Sequence, residues 1–247
     1  MSPRMPTQLT KSPLIEALFE IRFEPTAPAA GDLLPGLLYS AMKTEYPEVA
    51  PLPVASIPRQ IRDSNPNLLY QASHRLVGGP NSVQIGDRVV ALSTTAYPGW
   101  LRFKDMVEFL VEAAKGTGLL KRVDRFSFKY INLIEALQTE EQLPLLNLQI
   151  KLIGSAPLER GFQLRVERND GDFITIIQIA PNATTKHPAT AKEVSGLLIE
   201  VDTLRLGVGN EFLTNRASLI DEGHSVAKRT FFSLLTGSAL ERLGPVS

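Results

Sequence analysis

The chain has 247 residues and no cysteine. That absence removes disulfides, thiolate zinc sites, iron–sulfur clusters and a cysteine nucleophile together. Histidine is scarce: His74, His187 and His224 stand far apart, with no HxH or HExxH spacing, so a metal site would have to be assembled from distant segments. Net charge is lacking as well, with 26 Lys+Arg against 26 Asp+Glu. A tie of this kind weighs against the broad electrostatic footprint of sequence-independent nucleic-acid or anionic-membrane binding. No long apolar run exists; the longest, 173–180, is interrupted by Thr175 and Gln178 and falls short of the roughly 18–20 residues of a bilayer span. Residues 1–12 carry no apolar segment of signal-peptide length and are expected to be a disordered lead-in to a cytoplasmic protein. Also missing are GxxxxGK[ST], GxSxG, an EF-hand loop and the kinase signatures.

What is present is ordinary globular material, 43% hydrophobic and 21% charged, enough for a substantial core. Residues 13–25 (PLIEALFEIRFEP) alternate, with Ile15, Ala17, Phe19, Ile21 and Phe23 on one face and Glu16, Leu18, Glu20, Arg22 and Glu24 on the other, the pattern of a half-buried strand. Asp32 is a candidate N-cap for a helix carrying Leu34, Leu37 or Leu38, and Ala41, which Pro47 ends. Prolines at 47, 51, 53, 58 and 66 predict an extended surface segment with at most one short edge strand. Strands follow over 68–77 and 82–95, with a two-residue turn at Gly86-Asp87. A helix over 100–115 presents Phe103, Met106, Val107, Leu110 and Ala114, and 121–135 alternates as another strand.

The polar segment 137–144 marks a candidate boundary. Four strand-like runs come after it (145–154, 161–169, 172–181 and 197–207), with a hairpin signal at Asp170-Gly171 and a polar connection over 181–196. A closing helix carries Leu213, Ala217, Ile220, His224, Ala227, Phe231 and Leu234. Hairpins without regular βαβ alternation predict an α+β fold of two antiparallel sheet-plus-helix units, each sheet covered by helices on one face: an N-terminal unit over 13–136 and a β-rich C-terminal unit over 145–240.

Chemistry-bearing patterns are few. Gly207 and Gly209 lack the third glycine of a dinucleotide loop and read as a strand-to-helix turn. His224 lies in an apolar stripe with no identifiable Ser, Asp or Glu partner. Residues 115–129 hold Lys115, Lys121, Arg122, Arg125 and Lys129 against Asp124, the one basic cluster. Its interleaved Phe126, Phe128 and Tyr130 fall on the opposite strand face from Arg125 and Lys129, which weakens a nucleic-acid reading. If the strands at 13–25 and 121–135 are neighbours, Glu20 and Glu24 pair with Arg125 and Lys129 across the ladder. A polar sheet face left uncovered is a docking platform, and its candidate ligand- or partner-binding residues are Glu20, Arg22, Arg125, Lys129, Tyr130 and Asn132. Two carboxylate pairs bear on metal-assisted hydrolysis: Glu200 and Asp202, which share a strand face, and Asp170 and Asp172, which flank a hairpin turn and have a sufficient structural cause there.

The segments PLIEALFEIRFEP, RVDRFSFKYINLIE and HSVAKRTFFSLLTG together resemble a sporadically distributed prokaryotic family of similar length whose function is not established. The resemblance spans nearly the whole chain, carries no catalytic residues, and implies mobile or defence-associated gene neighbourhoods, with antiviral defence among the roles. The reading taken from the sequence is a non-catalytic binding or accessory subunit of a larger assembly, with a protein partner or a second copy of the chain, no cofactor and no metal. The alternatives are a small-molecule or nucleotide sensor that uses the polar sheet face under a 181–196 lid, and a metal-dependent hydrolase.

Overall fold

The computed structural model describes residues 5–6, 8–136, 138–150, 162–186 and 190–246. In chain order the elements are β1 (Gln8–Leu9), β2 (Leu14–Pro25), α1 (Ala30–Met42), β3 (Glu48–Pro51), a 3-10 turn (Pro53–Ser56), α2 (Arg59–Ser64), β4 (Ala72–Gly78), β5 (Asn81–Gly86), β6 (Val89–Thr94), α3 (Trp100–Gly116) and β7 (Leu120–Glu135). Then come α4 (Thr139–Gln142), a second 3-10 turn (Leu143–Leu145), β8 (Leu164–Asp170), β9 (Phe173–Lys186), β10 (Glu193–Gly209), α5 (Glu211–Leu234), α6 (Gly237–Leu243) and β11 (Pro245–Val246). Among the described residues, nine strands form one antiparallel sheet in the order β3-β4-β5-β6-β2-β7-β10-β9-β8, and β1 pairs with β11 in a separate ribbon. The fold is thus α+β, with one large sheet where two were expected. Alternation along a strand reports which face each residue takes and says nothing of which strand lies beside it.

Contacts group the chain into two compact units, Ala17–Phe128 with Leu204–Gly223, and Met1–Glu16 with Lys129–Thr203 and His224–Ser247. In the first, the alternation of β2 buries Ala17, Phe19, Ile21 and Phe23 completely, each ring or branched side chain contributing roughly 1.5–3 kcal/mol. Phe103 and Trp100 of α3 and Phe212 at the start of α5 meet Phe19, Phe126 and Phe128 on that face. The stripe of α3 is Phe103, Val107, Leu110, Val111 and Ala114. The β5–β6 register (Ile85 opposite Val90) makes Asp87 and Arg88 the turn, one residue later than expected. Gly86 is glycine for another reason: a Cβ there would lie 2.4 Å from the Gln71 carbonyl oxygen.

The proline-rich segment supplies β3 at the sheet edge, as expected, and also the short α2. Arg62 of α2 is buried and forms a two-pronged ion pair with Asp87, Nε to Oδ2 at 2.8 Å and Nη2 to Oδ1 at 3.0 Å. Asp32 is not an N-cap; it lies inside α1, and its carboxylate pairs with Arg59.

In the second unit the core-facing residues include Ile177, Ile179, Leu197, Ile199 and Val201, with Val226, Ala227 and Phe231 from α5. In the part of α5 that belongs to the first unit, a kink at Asn215, whose backbone leaves helical geometry, interrupts the first turns, and Ala217 is exposed instead of facing inward. The polar connection over 181–196 is mostly strand: β9 continues to Lys186 and β10 begins at Glu193, while 187–189, including His187, lie outside the described residues. The strand expected over 145–154 is not formed by its described part, where Leu146 makes a single bridge to Leu235; residues 151–154 lie outside the description. Within the expected lead-in, Gln8–Leu9 pairs with Pro245–Val246, and Thr10 and Lys11 donate backbone hydrogen bonds to Gly244 and Leu243.

Candidate functional site

Each unit carries a polar cluster on its strands, and together these hold four of the six residues predicted from sequence. In the first unit, period-2 geometry puts Glu20 and Arg22 on the face opposite the phenylalanines. Glu20 Oε1 lies 2.7 Å from Arg22 Nε and 3.3 Å from Arg125 Nη2, and Arg125 donates to Ser127 Oγ at 3.3 Å. The three charged side chains retain 18–29% of their exposure. Tyr70 was not foreseen: the Arg22 guanidinium carbon sits 4.6 Å from its ring centroid, a cation–π contact on a partly desolvated charge. Of the two expected cross-strand pairs, Glu20 with Arg125 forms. Glu24 instead takes Lys121 at 2.8 Å and Arg122 at 2.7 Å, and the Lys121 hydrogen bond foremost holds its carboxyl below the usual range.

In the second unit, Lys129 Nζ lies 2.8 Å from Glu200 Oε1 and 3.8 Å from Asp202 Oδ2. Gln178 Nε2 donates to the same Glu200 oxygen at 2.6 Å. Glu200 and Asp202 therefore share a face, as the sequence indicates, and an ammonium sits between them. Tyr130 and Asn132, one and three positions beyond Lys129, point the other way and are 8% and 4% exposed, so neither belongs to the polar face. Tyr130 Oη is 2.9 Å from His224 Nδ1, which gives His224 the polar partner that sequence alone could not identify. Asn132 donates to the Ile199 carbonyl at 3.4 Å.

Two further charged groups escaped the sequence reading because their partners are distant in the chain. Asp221 of α5 accepts from Trp100 Nε1 at 3.2 Å and pairs with Lys104 Nζ at 2.6 Å. Arg216 is held by Glu108 and Glu112, whose hydrogen bonds and charges raise its already high pKa. A shallow depression of about 260 Å³ lies over Arg216, beside Thr214 and Asn215 at the α5 kink.

Ser73 Oγ is 3.0 Å from His74 Nδ1, but the hydroxyl is buried and also bonds the Ile85 carbonyl, out of reach of a substrate. Among the described residues no three His, Asp or Glu side chains converge as metal ligands, and no helix is long and apolar enough to cross a membrane. In comparison with known proteins, no family model and no curated protein matches the chain.

Proposed function

We propose that the chain is a non-catalytic binding protein, an accessory subunit whose polar strand face recognises a partner. The observation that carries this reading is the Glu20, Arg22 and Arg125 cluster: half-buried charges fixed by ion pairs, with the Tyr70 ring against Arg22. Charges ordered in advance lose little side-chain entropy when a partner's charges join them, so they favour specificity and encounter rate. A general base or nucleophile needs a different arrangement, a polarising partner together with access to substrate. Co-purification from native lysate tests the reading, comparing the wild-type chain with Arg22→Glu. The expected result is a stoichiometric partner that the variant loses while its melting temperature is kept; a wild-type chain that retains nothing, or a partner held equally by both, overturns it.

The Arg22–Tyr70 stack also supports a second reading, a sensor for a small ligand with an aromatic ring and an anionic group, such as a nucleotide. A thermal-shift screen addresses it, since a ligand at about 100 times its Kd stabilises by roughly 2.7 kcal/mol. A flat response to nucleotides removes them from consideration.

A further inference from the structure

Strand β8 ends the sheet order, and among the described residues it pairs with β9 alone. Arg165, Val166, Glu167, Arg168 and Asn169 are all exposed, so among the described residues neither face of the strand's middle is covered; Arg165 Nη2 and Glu167 Oε1 pair along the strand at 2.6 Å while retaining 54% and 55% of their side-chain exposure, which leaves both able to take a partner across the edge. The hairpin register fixes which backbone groups are on offer. Asp170 is opposite Phe173, and the two-residue turn begins at Gly171 with φ +61°, as a type II′ turn requires. The pair closing such a turn exchanges both backbone hydrogen bonds, so Asp170, Arg168, Val166 and Leu164 bond to β9. Arg165, Glu167 and Asn169 therefore turn their N–H and C=O groups to the outer edge.

We propose that this edge pairs with the β8 edge of a second copy of the chain, antiparallel and centred on Val166. Outward-facing residues can hydrogen-bond only to outward-facing residues, so the two-fold axis must pass through a residue and not between two. Three such registers pair at least five residues of β8, centred on Val166, Glu167 or Arg168. The last two set Glu167 against Glu167 or Arg168 against Arg168, like charges directly opposite, which destabilises a ladder. The register on Val166 sets Arg165 against Glu167 of the second copy and Glu167 against its Arg165, both as hydrogen-bonded pairs, with Val166 against Val166. The same register carries Gln163 to Asn169 on the charged face. The edge is thus self-complementary in hydrogen bonding, in charge and at its apolar centre. The usual protective devices for an edge, a proline or a bulge, are not found in β8. This proposal stands apart from the polar-face reading and uses none of its residues.

Sedimentation of the full chain over a concentration series, with a charge swap, is the test. The wild-type chain is expected to dimerise. Arg165→Glu and Glu167→Arg each place like charges opposite one another twice and should weaken the dimer at least about tenfold, whereas the R165E/E167R double variant restores opposition and should recover most of the affinity. Glu167→Pro removes an outward N–H without touching the β9 ladder and should give a folded monomer, its folding checked by circular dichroism. A chain that stays monomeric throughout, a dimer indifferent to R165E, or a double variant no better than the singles overturns the proposal.

Discussion

The two units hold their interiors together by different means. Beneath β2 and the first half of β7 the first unit stacks rings: Phe19 to Phe128 at 5.0 Å, Phe126 to Phe212 at 5.1 Å and Trp100 to Phe128 at 5.7 Å. The second unit threads polar contacts among aliphatic side chains: Thr175 Oγ1 to Thr203 Oγ1 at 3.1 Å, Tyr130 to His224 at 2.9 Å, and Gln142 exchanging bonds with Asn182, whose φ is +58°. The hydrophobic gain from burying rings is non-directional and scales with the area and volume filled, whereas a buried hydroxyl pair fixes one register and is costly when half broken. The first interior is expected to fail by volume and the second by orphaned polar groups.

The largest effect tests the ring stack. Phe128→Ala removes the ring shared by Phe19, Trp100, Phe103 and Phe126, and is expected to cost about 3–5 kcal/mol in denaturant unfolding, transfer and cavity together. Phe128→Leu should recover more than half of that. If Phe128→Ala costs less than about 1 kcal/mol, the stack is not what holds this interior.

Next comes the hydroxyl pair. Thr203→Val leaves the Thr175 hydroxyl buried beside a methyl group and is expected to cost about 1–3 kcal/mol, while T175V/T203V should be nearly neutral, since both partners become apolar at constant shape. A double variant that simply adds the single costs would show that the two hydroxyls are not coupled.

The same contrast explains what could be read in advance. Apolar faces are local, so the inward set of β2, Phe126 and Phe128 of β7 and most of the α3 stripe follow from spacing alone. Polar partners are not local. Tyr130 lies 94 positions from His224 and Lys129 pairs with acids of β10, and nothing in a periodic pattern names either partner. The failures follow the same physics. Asp32 had the residue type of a cap, but Arg59 takes its carboxylate inside the helix. The proline-rich stretch hid a buried Arg62, because the Asp87 that compensates its charge lies 25 positions away. The polar 181–196 stretch lacked an apolar face, yet its ends continue the β9 and β10 ladders through backbone bonds to which side-chain polarity is indifferent. Of the predicted site, the same-face charges were legible, and Tyr130 and Asn132 were assigned against their own alternation.

A third, smaller effect is set by pH and belongs to the first unit. Tyr46 is buried, and burial pushes its phenol up to about 12 from its ordinary value of 10.0. The folded state therefore keeps the neutral phenol while the unfolded chain ionises. This contribution is fully present below pH 10 and is lost as pH rises toward about 12, an expected fall of about 1–2 kcal/mol. Tyr46→Phe should remove the dependence, which is readable as the difference in alkaline unfolding between the two proteins; parallel curves would place Tyr46 in contact with water.

The smallest effect carries the contrast to the charged faces. Arg22 and Glu20 keep 29% and 25% of their side-chain exposure, so Arg22→Met is expected to cost well under about 1 kcal/mol, in the range of solvated pairs. Lys129 serves two carboxylates that keep only 14% and 11%, and water can replace its ammonium less completely there. Lys129→Met is expected to cost about 1 kcal/mol, the larger of the two, and to shrink less in high salt because the pair is less screened. Equal costs with equal salt dependence would mean that the two clusters are energetically alike, and that the directional character of the second unit ends at its interior.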